Sequence, residues 1–241
     1  MKFFNKKYIW FILLSGIITG QTLPGDWVNY WEDSGQSIIT DHTNQWILGI
    51  GALAAIGATR VDLKVKDYAQ TRGLLSDPVS HFGDLYGGTW AHWILFSSIL
   101  VTSATGNDNL DDFMAKMEFS TFAMMTNGTL TYGMKRAFGR KRPNGSCCTS
   151  FPSGHTSHSF VIAAIIQELY GNKIGKFAYG MATLVAISRI NDNKHYLSDV
   201  IFGSALGTAV GRAFGNNYHQ YTFKGLGVGI TPYSLRITIP L

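Results

Sequence analysis

Residues 150–160 read SFPSGHTSHSF and stand directly before a long apolar run. Ser153 follows a proline and precedes a glycine, which is typical of the residue that begins a helix. A helix start also presents unpaired N–H groups and the positive end of the helix dipole, which together bind anions. The stretch therefore either only caps a helix or also holds an anion, beside which His155 would stand. His158, three residues later, is interpreted as structural.

A cluster of cations precedes this stretch. The segment KRAFGRKRP, residues 135–143, carries five basic side chains within eight residues. A solvated basic helix end would have the same composition, and it would suit the helix dipole. The alternative is a set of donors for an anion, in which lysine supplies a point charge and arginine a bidentate fork for phosphate oxygens.

A third segment, SRINDNKHYLSD at residues 188–199, pairs a histidine with a carboxylate. His195 follows Arg189 by six residues and precedes Asp199 by four. On a helix, side chains four residues apart share a face. Asp199 could then accept a hydrogen bond from one imidazole nitrogen and leave the other free to act as a nucleophile. A surface His–Asp pair is the ordinary alternative.

Together, the three segments form an ordered set of motifs. Lys135-x6-Arg142-Pro143, then PSGH at 152–155, then Ser188-Arg189-x5-His195-x3-Asp199 resembles the signature of the type-2 phosphatidic acid phosphatase and vanadium haloperoxidase superfamily. The motifs span residues 135–199, and a looser similarity extends over about 77–214. The first 70 residues and the C-terminal tail lie outside the resemblance.

The resemblance implies a role for each motif residue. His195 would attack phosphorus and form a phosphohistidine, Asp199 would fix its tautomer, and His155 would protonate the leaving oxygen and then activate water. The phosphate oxygens would be held by Lys135, Arg142, Ser153, Gly154 and Arg189. We expect no metal and no cofactor, because the sequence has no HExxH motif and no acidic cluster near the motifs.

Composition and the N-terminus indicate an exported protein. Charged residues make up 15% of the 241, against about 25% in a typical soluble domain, and the net charge is +5. Three lysines within residues 2–7 precede an apolar run over 8–19, which predicts a signal peptide of residues 1–20 or an uncleaved anchor. We expect the body of the chain in the periplasm or on the outer face of the inner membrane.

Hydrophobic periodicity predicts a mainly α protein, a helical bundle of about six helices with a short C-terminal β-hairpin. After the signal peptide, residues 21–70 are expected to form an N-terminal extension with one helix, 71–215 the helical phosphatase core, and 216–241 the hairpin. Helices are predicted over 110–138, 157–170, 174–190 and 195–214, with a possible break at 127–128 and a helix end at 171–172. Glycines at 203, 207 and 211 predict a strip where another helix approaches closely.

The function that follows is a metal-independent, acid-phosphatase-type phosphomonoesterase. Low charge, the glycine strip and six tryptophans suit work at a membrane surface, so a lipid phosphate or diphosphate of the cell envelope is the expected substrate, with soluble phosphomonoesters still open. The alternatives are a vanadium-dependent haloperoxidase and a non-catalytic envelope protein that binds anionic lipid. Nucleic acid is a poor fit, because the basic run lacks interleaved aromatic residues.

Overall fold

The computed structural model describes residues 27–222, 227–231 and 234–238. The predicted signal peptide lies outside these ranges. In chain order the helices are α1 (Trp27–Thr40), α2 (His42–Thr59), α3 (Asp62–Arg72), α4 (Asp77–Leu85), a π-helical turn (Tyr86–Trp90), α5 (Ala91–Thr105), α6 (Leu110–Phe138), α7 (Gly154–Asn191) and α8 (Leu197–Thr222). Two strands follow, β1 (Gly227–Thr231) and β2 (Ser234–Thr238).

Helix α8 is the centre of the packing. It contacts α7 most extensively and also contacts α1, α2 and α6. Val210 and Phe214 of α8 are fully buried against Phe119 of α6 and Ile162 and Ile165 of α7. This one helix therefore ties the N-terminal segment to the segments that carry the motifs.

The glycine strip of α8 is what lets α7 lie so close, and its prediction is confirmed. A Cβ atom added at Gly203 would lie 2.9 Å from the carbonyl oxygen of Ser153, one at Gly207 would overlap the carbonyl oxygen of Ser157, and one at Gly211 would overlap Ala164 Cβ. Because two of these contacts are with backbone atoms, side-chain rotation cannot relieve them. The strip therefore fixes the start of α7 directly over the start of α8.

The fold class needs correction in two respects, although the mainly α class is right. Residues 27–222 contain eight α-helices rather than about six, and no strand lies within that range. Strands β1 and β2 pair antiparallel with each other, from Gly227 opposite Thr238 to Thr231 opposite Ser234, and join no other sheet. A two-stranded pair contributes little stability by itself, and these strands lie after the last helix, so the expected β-hairpin is not part of the helical domain.

The N-terminal segment has three helices, α1 to α3, where the sequence predicts one. Helix α1 was missed because its sequence is rich in polar residues, yet it buries Tyr30, Ser34 and Ile38 at a spacing of four. The Tyr30 hydroxyl donates a hydrogen bond to the carbonyl oxygen of Phe214, at 3.0 Å. The extension is therefore packed onto the core rather than appended to it.

Two helix ends are set by glycines in backbone conformations that other residues rarely adopt. Helix α6 ends at Gly139, which has a φ of 53° and a left-handed conformation, and it runs through residues 127–128 without the break that the sequence suggested. Gly171, with a φ of 81°, kinks α7 at the predicted helix end. Helix α8 begins at Leu197, so His195 lies in the preceding turn. The sequence had predicted that His195 begins the helix.

Several faces of the helices present apolar side chains to the outside. Exposed apolar residues recur on α2 and α5, namely Trp46, Ile50, Leu53, Ile56, Trp93, Ile94, Leu100 and Val101. Within the part of the chain that the structure describes, no single helix has the length and hydropathy needed to cross a bilayer. Helices α2 and α3 meet those criteria only as a pair, which is bent by 70°.

The close contact between α7 and α8 generates a stability prediction. Gly207→Ala should lower the free energy of unfolding by about 1–3 kcal/mol, because the added methyl group overlaps backbone of α7. Gly180→Ala is the matched control, since Gly180 is exposed in α7 and a Cβ there meets nothing within 4 Å. Thermal unfolding followed by circular dichroism measures both. Equal melting temperatures for the two variants would contradict the packing described.

Candidate active site

The start of α7 has a serine in the N-cap position but no side-chain cap. Ser153 is in the N-cap position with an extended backbone, but its side chain makes no capping hydrogen bond. Instead its Oγ accepts from Thr156 Oγ1 at 2.9 Å, and its backbone N–H donates to the carbonyl oxygen of Asp199 at 3.0 Å. The first N–H groups of α7 are therefore left without a side-chain cap, as an anion site requires.

Lys135 lies beside this helix start. Its Nζ donates to the carbonyl oxygens of Thr149 and Pro152, at 2.6 Å each, and a Cβ added at Gly154 would lie 3.6 Å from its Cε. Burial, together with the charge of Arg142, lowers the pKa of Lys135 to about 8, although the charge of Asp199 opposes the shift. Lys135 thus stays cationic at neutral pH, where it lies near the charges of Arg142 and Asp199.

His195 and Asp199 form a buried pair. Their side chains are 4% and 0% exposed, and His195 Nδ1 lies 3.6 Å from Asp199 Oδ2. Burial lowers the pKa of His195 to about 4, and the charges of Lys135 and Arg142 act in the same direction, while Asp199 opposes them. The imidazole is therefore neutral over most of the pH range, as a nucleophilic nitrogen must be.

The carboxylate of Asp199 has further partners on both oxygens. Oδ1 accepts from Arg140 Nη1 at 2.6 Å, and Oδ2 accepts from Ser150 Oγ at 2.5 Å and from the backbone N–H of Tyr196 at 2.9 Å. Burial alone would raise the pKa of Asp199, but the donors around it, with His195 and Arg140, lower it overall. Asp199 is accordingly ionised whenever His195 is neutral enough to react.

Arg189 is present in the site, but carboxylates occupy its donors. It is 3% exposed, Nη1 donates to Asp84, Nη2 donates to Asp192 at 2.6 Å, and Nε donates to Ser188 Oγ at 3.3 Å. Asp84 belongs to α4 and lies outside the sequence motifs. A bound phosphate would therefore have to take the place of Asp84 on the guanidinium.

His155 faces the same carboxylate. Its Nε2 lies 3.4 Å from Asp84 Oδ1, and its side chain is 41% exposed. Burial and the charge of Arg189 lower the pKa of His155, while Asp84 raises it. A Cβ at Gly88 would lie 2.9 Å from Nε2, so the glycine in the π-helical turn leaves room for this imidazole.

Arg142 differs from the other two predicted phosphate-binding cations. Among the described residues it takes part in no salt bridge and no side-chain hydrogen bond, and its side chain is partly exposed. Its charge lowers the pKa values of Lys135, His155 and His195. Arg142 is therefore close to all three groups and has its guanidinium free to bind an anion.

A cavity of about 280 Å³ adjoins Lys135 and the start of α7. Two of its lining residues, Lys135 and Gly154, belong to the candidate phosphate site, and the others come from α6 and α7, namely Asn127, Gly128, Thr131, Tyr132 and His158. Burial, and then the neighbouring His92, lower the pKa of His158 to about 4, and the two rings meet edge to face with centroids 5.8 Å apart. His158 thus forms part of a cavity wall, a role that its spacing in the sequence did not reveal.

The sequence did not reveal three acidic or hydroxyl residues that contact the predicted site residues or Arg140, and it gave Arg140 no role in the site. Asp84, Asp62 and Ser150 lie outside the motif positions, and nothing in their local sequence marks them. Arg140 was visible only as one charge in a basic run, yet it is bonded to Asp199 and Asp62. Only the fold shows that Arg140 lies within hydrogen-bonding distance of Asp199, because the two residues are 59 positions apart in the sequence.

Comparison with known proteins is consistent with this geometry. Residues 119–222 match the model of the PAP2 superfamily. The segment of residues 119–222 therefore belongs to the PAP2 superfamily. The matched region contains all the motif residues, whereas helices α1 to α5, and with them Asp62 and Asp84, precede it.

Two curated proteins and one solved structure are similar to this chain. Lipid A 1-phosphatase of Porphyromonas gingivalis is 38% identical over 91 residues, 36% of this chain and 20% of the relative. Lipid phosphate phosphatase 1 of Arabidopsis thaliana is 30% identical over 146 residues, 41% of this chain and 45% of the relative. The chain therefore spans less than half the length of either.

The solved structure supports the fold alone. The crystal structure of Aquifex aeolicus LpxE superposes with a TM-score of 0.52 at 20% sequence identity, covering 64% of this chain and 94% of that one. Such a superposition indicates that the helical core of this chain is arranged as in LpxE.

Proposed function

We propose that this protein is a metal-independent phosphatase that removes phosphate from a lipid phosphate or diphosphate through a phosphohistidine. The observation that carries the proposal is the buried His195–Asp199 pair with Lys135 and Arg142 close enough to lower the imidazole pKa. A neutral imidazole, an ionised carboxylate and cations at a helix start are the groups that phosphoryl transfer to nitrogen needs.

Binding would use the groups whose donors are free or exchangeable. Arg142 and the uncapped N–H groups at the start of α7 would receive phosphate oxygens directly, and Lys135 would contribute its charge. Arg189 would exchange Asp84 for a phosphate oxygen, which moves the Asp84 carboxylate away from the phosphate. The cations and the helix end would then balance the charge that spreads over the oxygens in the transition state.

In the first step, the lone pair of His195 Nε2 would form a bond to phosphorus while the bond to the ester oxygen breaks. His155 would give its proton to the departing oxygen, so that an alcohol leaves. Burial and Arg189 lower the pKa of His155 in the free protein, but a bound phosphate dianion raises it again and favours the protonated form. Asp199 would stabilise the positive charge that His195 gains.

In the second step, water would attack the phosphohistidine. His155, now neutral, would accept a proton from that water as its oxygen bonds to phosphorus, and the bond to Nε2 would break. Inorganic phosphate leaves with His195 neutral and His155 protonated, as at the start. The two histidines thus complete a hydrolysis cycle in which atoms and protons balance.

A lipid substrate is supported by what surrounds the phosphate site. The cavity beside Gly154 and Lys135 is lined on α6 by Tyr132, whose side chain is exposed. Exposed apolar side chains on α2 and α5 would lie favourably in lipid, because the burial of each CH₂ group contributes about 0.8 kcal/mol. The curated relatives, a lipid A 1-phosphatase and a lipid phosphate phosphatase by name, point to the same class of substrate.

These apolar faces also bear on location. We propose that the protein works at a membrane surface, in the periplasm or on the outer face of the inner membrane, after export by the predicted signal peptide. Extraction of cell membranes with alkaline carbonate, which strips peripheral proteins, followed by detergent would show whether it is held by apolar contact.

His195→Ala tests the reaction itself. The variant should lose kcat on phosphatidic acid by roughly 10⁴-fold or more, because no nitrogen remains to accept the phosphoryl group. His42→Ala is the matched control, since His42 is exposed at the start of α2 and should retain full activity. Release of inorganic phosphate in detergent micelles is the measurement. Full turnover by His195→Ala would exclude His195 as the nucleophile.

Gly128→Trp tests the substrate class. Gly128 lines the cavity, and a Cβ added there meets nothing within 4 Å. We expect the indole to occupy the cavity and to raise KM for a short-chain phosphatidic acid about 10-fold by displacing apolar carbons from it. KM for para-nitrophenyl phosphate should change much less. Gly133→Trp is the control, because Gly133 is equally unhindered on α6 and does not line the cavity.

The two arms separate the possible failures. If Gly128→Trp and Gly133→Trp behave alike on the lipid, the cavity does not receive the leaving group, and the phosphatase proposal stands without it. If the wild-type protein hydrolyses neither compound, the phosphatase proposal itself fails.

A further inference from the structure

Asp62 is a buried carboxylate that the motifs do not include. It is the first residue of α3 and is 3% exposed. Its Oδ1 accepts from the backbone N–H of Ser198 at 2.9 Å, and its Oδ2 accepts from Ser198 Oγ at 2.6 Å. Asp62 thus binds a backbone N–H in the first turn of α8, a helix that begins more than 130 residues later in the chain. A buried charge is costly unless it is paired, so Asp62 needs a cation beside it.

That cation is Arg140. Its Nη2 donates to Asp62 Oδ2 at 2.7 Å, and its Nη1 donates to Asp199 Oδ1 at 2.6 Å and to Ser198 Oγ at 2.7 Å. The guanidinium carbon also lies 4.3 Å from the centroid of the Tyr196 ring. One planar fork therefore spans two carboxylates, a geometry that the single ammonium group of lysine cannot reproduce. We call Asp62, Arg140 and Asp199 the Asp–Arg–Asp bridge.

The bridge settles which oxygen of Asp199 faces His195. Arg140 holds Oδ1, so Oδ2 is left to receive Ser150 and the Tyr196 N–H and to lie 3.6 Å from His195 Nδ1. A carboxylate with partners on both oxygens cannot rotate without breaking several hydrogen bonds. The position of Asp199 is thereby fixed before any substrate arrives.

We propose that Asp62 and Arg140 are positioning residues for His195, which act through Asp199 and do not touch the substrate. The proposal rests on the proposed function for the reaction that it serves, but its geometry does not. Asp62 lies outside both the sequence motifs and the region that matches the PAP2 superfamily, so the chain's own N-terminal segment would complete the site.

The charges of the bridge predict in which direction each variant shifts the titration of His195. Arg140 is one positive charge between two negative ones, so replacing it by glutamine leaves both carboxylates uncompensated beside His195. Replacing Asp62 by asparagine does the opposite, because Arg140 then acts on Asp199 alone. The other charges that act on His195 come from Lys135 and Arg142, and both remain in every variant. Loss of folding would not move the His195 titration in opposite directions.

The test is an NMR titration of the full chain with labelled histidine. The His195 resonance is identified by its absence from His195→Ala. Its pKa should rise by about one unit in Arg140→Gln, because a like charge that disfavours the protonated imidazole is lost, and it should fall in Asp62→Asn, because a negative charge that favours the protonated imidazole is lost. Lys141→Gln is the matched control, since Lys141 is the exposed neighbour of Arg140, and it should leave the titration unchanged.

Arg140→Lys separates position from charge. It keeps the positive charge, so the titration should stay near that of the wild type, while kcat should fall about 10-fold with KM little changed because the fork is lost. An Arg140→Gln titration that equals the wild type, or shifts of Arg140→Gln and Asp62→Asn in the same direction, would overturn the proposal. Because the titration needs no substrate, it also decides the matter if the phosphatase proposal fails.

Discussion

The carboxylate of Asp199 is the interaction on which the candidate site depends. Its oxygens join Arg140 after α6, Ser150 in the loop before α7, and Tyr196 at the start of α8, while its carbonyl oxygen accepts from Ser153. The connection between α6 and α7 and the start of α8, which are more than 40 residues apart in sequence, therefore meet at one residue. They can meet only because the glycines of α8 admit the start of α7 at backbone contact distance.

The chemistry of the site follows from this arrangement. A buried carboxylate would ordinarily become neutral, and here it is kept ionised by the donors around it. A buried imidazole would ordinarily lose its affinity for a proton, and here that loss leaves a neutral nitrogen available for attack. The start of α7, which carries His155, is held over the same point by the same contacts. Fold and reactivity are thus set by one group of hydrogen bonds.

Part of this could be predicted from the sequence, for physical reasons. The motif spacing predicted Lys135, Arg142 and the His195–Asp199 pair, because phosphoryl transfer through a histidine needs a few residue types in a fixed order. The glycine strip and the extent of α6 followed from periodicity. The pairing of Arg140 with Asp62 and that of Arg189 with Asp84 could not be predicted, since each joins residues that only the packing brings together. The hairpin assignment failed because alternation of apolar residues indicates strands without indicating whether they pack on anything.

The central claim, that His195 carries the phosphoryl group, is tested most directly by trapping it. The full-length protein is mixed with lipid phosphate labelled in its phosphate group, quenched in alkali during turnover, and digested for peptide mapping. We expect a protein-bound label that is stable to alkali and lost in acid, as a phosphohistidine is, located on the peptide that contains His195 and missing from His195→Ala. Steady release of phosphate with no labelled protein, or a label that persists in His195→Ala, would contradict the account.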